Sequence, residues 1–255
     1  MLVYQCEDSL EGIFTGIYTA YEQKCNPADT MLSLDGELYL FAEYQSVLPD
    51  KDKTIKVIRT LRKRFGEEDY HHICLALSTP EPAKAQAVYQ TVCAGLSAGA
   101  KSYGHLFDNL ANDYVNHAFS LSRGAGNENC HLRGFVRFQE LDNGVLFSKI
   151  CPKNNLLTFL MEHFADRFPV ENFVLYDANR NLFGIHPAQK QWYLLSSIEV
   201  LENTGKLRLS AKELEYQELF RYFCHKIAIM DRENLNLQRN MLPLRFREYM
   251  VEFSR

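Results

Sequence analysis

The sequence predicts an α+β protein, with a largely antiparallel sheet and a helical layer or subdomain over about residues 50–133, all within one domain spanning 1–255. Three observations carry this. β-rich runs lie on either side of Asp142-Asn143-Gly144, and Asn-Gly between two such runs is the strongest short-range hairpin signal. Further short β-rich runs follow at 172–177, 182–186 and 191–195, with a turn at Ala178-Asn179-Arg180-Asn181. Between 50 and 133 the apolar spacing changes to the helical period.

From the N-terminus, Leu2-Val3-Tyr4-Gln5-Cys6 reads as a short strand. Asp8 or Ser9 then caps a helix that buries Leu10, Ile13, Phe14, Ile17, Tyr18 and Tyr21 and ends near Cys25-Asn26-Pro27. Residues 34–48 read as a turn and a strand. The next helix carries Lys51, Lys53, Lys56, Arg59, Arg62, Lys63 and Arg64 against the single acid Asp52, with Ile55, Val57, Ile58, Leu61 and Phe65 on its apolar side. This most basic stretch of the chain is either a solvated helix face or a phosphate-contacting one, through Lys56, Arg59, Arg62, Lys63 and Arg64. Helices at about 67–78, 82–98 and 106–123 follow. Gly124-Ala125-Gly126 lacks a P-loop continuation and no strand-to-helix context surrounds it, so it is not read as a nucleotide loop.

A two-residue Asn143-Gly144 loop sets 142 opposite 145, 141 opposite 146 and 139 opposite 148. The β-rich parts at 2–6, 135–151, 172–177, 182–186 and 191–195 are expected in one sheet. One hairpin face then sets Arg137, Gln139 and Ser148 among apolar neighbours. A buried guanidinium needs an anionic partner, either an internal carboxylate or a phosphate or substrate carboxylate. The helix from about Asn154 to Phe168 poses the same question. Leu156, Leu157, Leu160, Met161, Phe164 and Phe168 form its apolar arc; Arg167 falls inside it and His163 at its edge. These two cations either complement the helix dipole or line a pocket with Arg137. Ser210 and Glu213 read as a capping box opening a helix to about Met230. Arg239, Arg245 and Arg247 in the basic, aromatic C-terminal segment either contact nucleic acid or sit in internal ion pairs.

The net charge of −4 excludes a global electrostatic footprint for nucleic acid, so phosphate binding requires a local patch. Seven cysteines are scattered, with no CxxC and no zinc-type spacing. That pattern predicts free thiols in a reducing, cytoplasmic setting, with no metal and no cofactor. Neither a signal peptide nor an apolar run of membrane-spanning length is read, so no membrane partner is expected.

The combination of His131-Leu132-Arg133-Gly134-Phe135-Val136-Arg137-Phe138-Gln139-Glu140, His163-Phe164-Ala165-Asp166-Arg167-Phe168-Pro169, Asp177 with Arg180, and Leu237-Gln238 with Met241-Leu242-Pro243-Leu244-Arg245-Phe246 resembles a bacterial family described as DNA metabolism or repair proteins of unassigned chemistry. The resemblance spans essentially the whole chain. In that family a Glu-x-His-Arg-like element precedes Gly-Phe, whereas here the histidine comes one place later, in Glu128-Asn129-Cys130-His131. The resemblance implies a genomic neighbour that is a radical-SAM protein linked to DNA modification or repair. Some members carry an added uracil-DNA glycosylase-like domain, for which this chain has no room. Three function classes follow. The first is a nucleic-acid-binding accessory of that radical-SAM partner. The second is an enzyme acting on nucleic acid or nucleotide through His163, Arg167, Arg137 and an unidentified carboxylate, with His131 a further candidate. The third is a protein-interaction scaffold.

Overall fold

A computed structural model describes residues 1–34, 39–98, 105–196 and 208–253. The chain divides into two compact units, Met1–Asn127 and Glu128–Arg255. Mixed α and β structure with a mostly antiparallel larger sheet bears out the predicted class.

The first unit is built from β1 (Leu2–Cys6), α1 (Leu10–Glu22), β2 (Thr30–Ser33), β3 (Glu43–Val47), α2 (Lys51–Leu77) and α3 (Lys84–Ala98). The long α4 (Asp113–Phe135) begins in this unit and ends in the second. β1 pairs in parallel with β2 on one side and β3 on the other. Residues 2–6 therefore belong to a separate parallel sheet, contrary to the single-sheet expectation. The reason is the connection: a helix, not a hairpin, joins β1 to β2, and a helical crossover returns the chain in the same direction. Residues 35–38, inside the predicted 34–48 turn and strand, lie outside the described residues.

Ser9 caps α1 by accepting from Gly12 N–H at 3.0 Å. Ile13, Phe14, Ile17 and Ala20 are buried, but Leu10 and Tyr21 face solvent. The helix is rotated from the expected face because Gly16 meets the sheet: a Cβ there would stand 2.4 Å from Cys6 Sγ. Asp50 caps α2 through Lys53 N–H, and Gly66 at φ +89° divides that helix into a basic half and a second half, matching the two helices read on either side of 65–66. Gln86 of α3 supplies its side-chain oxygen to Leu32 N–H of β2 at 2.9 Å.

The second unit holds a sheet in the order β4 (Gln139–Glu140), β5 (Leu146–Ile150), β6 (Phe173–Asp177), β7 (Leu182–His186), β8 (Tyr193–Leu195). The β5–β6 pair is parallel, joined through α5 (Leu157–Arg167); the other pairs are antiparallel. α5 packs closely on β7, where a Cβ on Gly184 would lie 2.4 Å from Met161 Sδ. Leu156, Leu157, Leu160, Met161 and Phe164 are buried as predicted.

The hairpin departs from expectation twice. Residues up to Phe135 are helical, so Arg137 precedes the strand instead of lying in it. The loop has three residues, since Glu140 pairs with Leu146 and Leu141 N–H donates to Val145 O. Gly144 takes φ +77°, the left-handed residue that closes a three-residue loop. This shifts the register by one against the predicted pairing and exchanges the two faces.

Among the described residues, three α-helices close the unit: α6 (Ala211–Ile227), α7 (Leu235–Met241) and α8 (Leu244–Arg247). Ser210 caps α6 through Glu213 N–H, but the Glu213 carboxylate accepts from Glu140 N–H at 3.1 Å, so only half of the capping box forms. α6 leaves Leu214, Leu219, Tyr222 and Phe223 exposed. Among the described residues, no helix is long and apolar enough to cross a membrane.

Candidate functional site

The basic half of α2 is oriented by its apolar side. Thr54, Val57 and Leu61 are buried, and Thr15 Oγ1 of α1 accepts from Asp50 N–H at 2.9 Å, which locks the helix start. Ridge residues at this spacing fix one face inward, so the cations point outward. Lys51, Lys56, Arg59, Arg62, Lys63 and Arg64 are exposed. Lys53 is tied to Glu22 at 3.2 Å and Arg62 to Glu67 at 3.3 Å. Arg62 also lies over the Tyr70 ring at 4.6 Å, and Lys56 lies 5.2 Å from the Tyr18 ring centroid. Lys51, Arg59, Lys63 and Arg64 have no ion-pair partner among the described residues.

In the second unit the anionic partner of Arg137 is internal. Its Nη2 donates to Glu252 Oε1 at 2.9 Å, and Nη1 donates to the Gly134 and Val136 carbonyls. His163 is half-buried, and its pKa is pulled below the ordinary imidazole value, first by burial, then by the positive charges of Arg133 and Arg167. Asp166 opposes them. Arg133 and Arg167 are the cations that lower the His163 pKa, while Arg137 is taken up by Glu252. Arg167 is exposed on the last turn of α5, outside the apolar arc that the helical projection had assigned it to. His131 stacks on Phe135, with ring centroids 5.5 Å apart, and meets the Phe246 ring edge-on.

Of Arg239, Arg245 and Arg247, the last two serve the fold. Arg247 donates to the Leu242 and Gln238 carbonyls and lies over the Phe253 ring. Arg245 pairs with Glu128 at 3.3 Å. Arg239 is exposed.

Sequence reasoning missed Glu128. Its carboxylate is 3% exposed and accepts from Lys153 N–H, Asn154 N–H and Asn154 Nδ2 at 2.7 to 3.1 Å. It anchors the loop between β5 and α5 from one side. The other side is held by Arg180, which donates to the Pro152 and Lys153 carbonyls while paired with fully buried Asp177 at 3.0 Å. Burial pushes the Asp177 carboxyl above its ordinary value, against the pull of Arg180. The Asp177–Arg180 pair is local in sequence, whereas the loop it holds lies in a distant segment.

A family model described as a domain of unknown function, DUF4130, matches residues 82–252. The chain belongs to this family. The DUF4130 match takes in Glu128, Arg133, Arg137, His163, Arg167, Asp177 and Arg245, and it begins after the basic half of α2. No curated protein and no solved structure matches the chain.

Proposed function

We propose that this DUF4130 protein binds nucleic acid as an accessory in DNA repair or metabolism, working with a radical-SAM DNA modification or repair partner. The observation that carries the binding reading is the outward face of α2, where Lys51, Arg59, Lys63 and Arg64 lack carboxylate partners among the described residues. Unpaired cations spaced along one helix face match a phosphate backbone, and they give local attraction despite the net charge of −4. The resemblance of the HLRGFVRFQE and HFADRFP stretches supports the repair context and the radical-SAM partner. The uncovered apolar residues of α6 suit a protein partner as well.

A second reading, an enzyme acting on nucleic acid or nucleotide, draws on His163, whose imidazole pKa is depressed by burial and by the charges of Arg133 and Arg167, which favours the neutral base form. Arg137 is withdrawn from that role by Glu252.

Fluorescence anisotropy with labelled single- and double-stranded DNA at low salt tests the binding reading. Saturable binding that the Lys51→Ala, Arg59→Ala, Lys63→Ala triple variant weakens on every sequence supports it. No binding at low salt moves the weight to a scaffold that never touches DNA.

A further inference from the structure

The first unit contains a cavity of about 1000 Å³ between α1, α2 and α3. Its walls are apolar, formed by residues such as Ile17, Val57, Leu61, Phe65 and Val92, with the aromatic rings of Tyr18 and Tyr89. Its lining also includes three cations, Lys24, Lys56 and Arg64, and an acid, Glu22, all exposed; Glu22 is paired with Lys53. Lys56, Thr60 and Arg64 follow one another at single-turn spacing along α2. They form the edge of the same basic face that carries Arg59 and Lys63. Inside lies Asp69, 2% exposed, whose Oδ2 accepts from Leu106 N–H at 2.8 Å and stands 3.9 Å from His105 Nδ1.

We infer that this cavity is a nucleotide pocket, taking a base among its apolar and aromatic walls and the attached phosphate at Lys56 and Arg64. The inference rests on the nucleic-acid reading above and names the unit of ligand that the basic face would deliver. The volume suits a ligand of that size, since small-molecule pockets run to roughly 300–1,000 Å³. Flat rings present stacking surfaces for any base. The Asp69 carboxyl offers a hydrogen-bond partner to a base edge, whereas an alkyl chain would leave its polarity unused. Cations at the mouth favour the phosphate over an uncharged nucleoside.

The test uses the full chain and calorimetric titration with the four deoxynucleoside monophosphates, inorganic phosphate, and a short single-stranded oligonucleotide. Wild type is expected to bind at least one monophosphate at least about tenfold more tightly than inorganic phosphate. Thr60→Trp, a change at an exposed lining position, is expected to block the pocket and cost about tenfold or more, and Arg64→Ala several-fold. Competition between monophosphate and oligonucleotide marks the ligand as part of a strand; independent binding marks a free nucleotide. Absence of monophosphate binding at millimolar concentration, equal affinity for inorganic phosphate, or wild-type binding by both Thr60→Trp and Arg64→Ala overturns the pocket. Oligonucleotide binding without monophosphate binding overturns the pocket alone. Monophosphate binding without oligonucleotide binding upholds the pocket and overturns the nucleic-acid reading.

Discussion

Arg137 and Glu252 are joined by a 2.9 Å hydrogen-bonded ion pair across 115 residues of sequence, and the second carboxylate oxygen of Glu252 has no partner among the described residues. The pair fastens the C-terminal segment to the stretch that leads into β4. Replacing Arg137 by Ala leaves Glu252 largely buried and without its cation, which is expected to cost about 2 kcal/mol. Urea unfolding of Arg137→Ala, Glu252→Ala and the double variant checks this. The double variant should be less damaged than the sum of the singles, because a shared partner makes the two effects non-additive.

Glu128 is the more consequential buried acid. Glu128→Ala removes the acceptor of three N–H groups and the partner of Arg245. The expected loss is about 3 kcal/mol, larger than for Arg137→Ala, since buried donors are left unmade. Glu128→Gln keeps one oxygen in place and should lose less. Midpoints of chemical unfolding order the three proteins.

Gly144 sits at φ +77° with open space where a Cβ would go. Gly144→Ala therefore meets no clash, and its cost comes from the left-handed backbone alone, about 1–2 kcal/mol. A thermal unfolding measurement that found no loss would mean that the loop is not held in this three-residue form.

That loop illustrates what the sequence did and did not reveal. Asn143-Gly144 announced a hairpin, because turn chemistry is local. The register was misread because Asp142 joins the turn and the Asn143 side chain accepts from Val145 N–H. Ser9, Asp50 and Ser210 capped the helices they start, and Gly66 broke α2, again through local backbone demands. The pairing of β1 with β2 and β3 was not legible, since parallel partners are chosen by packing of distant segments. The strand–helix–strand order at β5, α5 and β6 did carry a parallel signal that the hairpin obscured. The basic face of α2 could be read residue by residue. Arg137–Glu252, Glu128 with Asn154, and the cavity around Asp69 could not, since each joins elements far apart in the chain.

Asp69 makes a pH prediction. Burial raises its pKa above the ordinary 3.8, despite the opposing Leu106 N–H and the charges of His105 and His72. An acid with a raised folded-state pKa stabilises the fold below its unfolded pKa, and that contribution is lost as pH climbs through the folded value. Asp69→Asn keeps an oxygen for Leu106 N–H and removes the titration. Its stability relative to wild type should therefore improve between about pH 4 and pH 7. Denaturant unfolding at those two pH values decides it; a constant difference would show that Asp69 titrates normally.

The most direct test of the binding account is a salt titration of DNA affinity for wild type and the Lys51→Ala, Arg59→Ala, Lys63→Ala variant. Each lost phosphate contact lowers the slope of log affinity against log salt by about 0.7 on single strands and about 0.9 on duplex. The variant should fold normally, since exposed changes of this kind cost under about 0.5 kcal/mol each. The account predicts a slope shallower by about 2–3, with weaker binding to all sequences alike. An unchanged slope with unchanged affinity, or no binding by wild type at low salt, would contradict it.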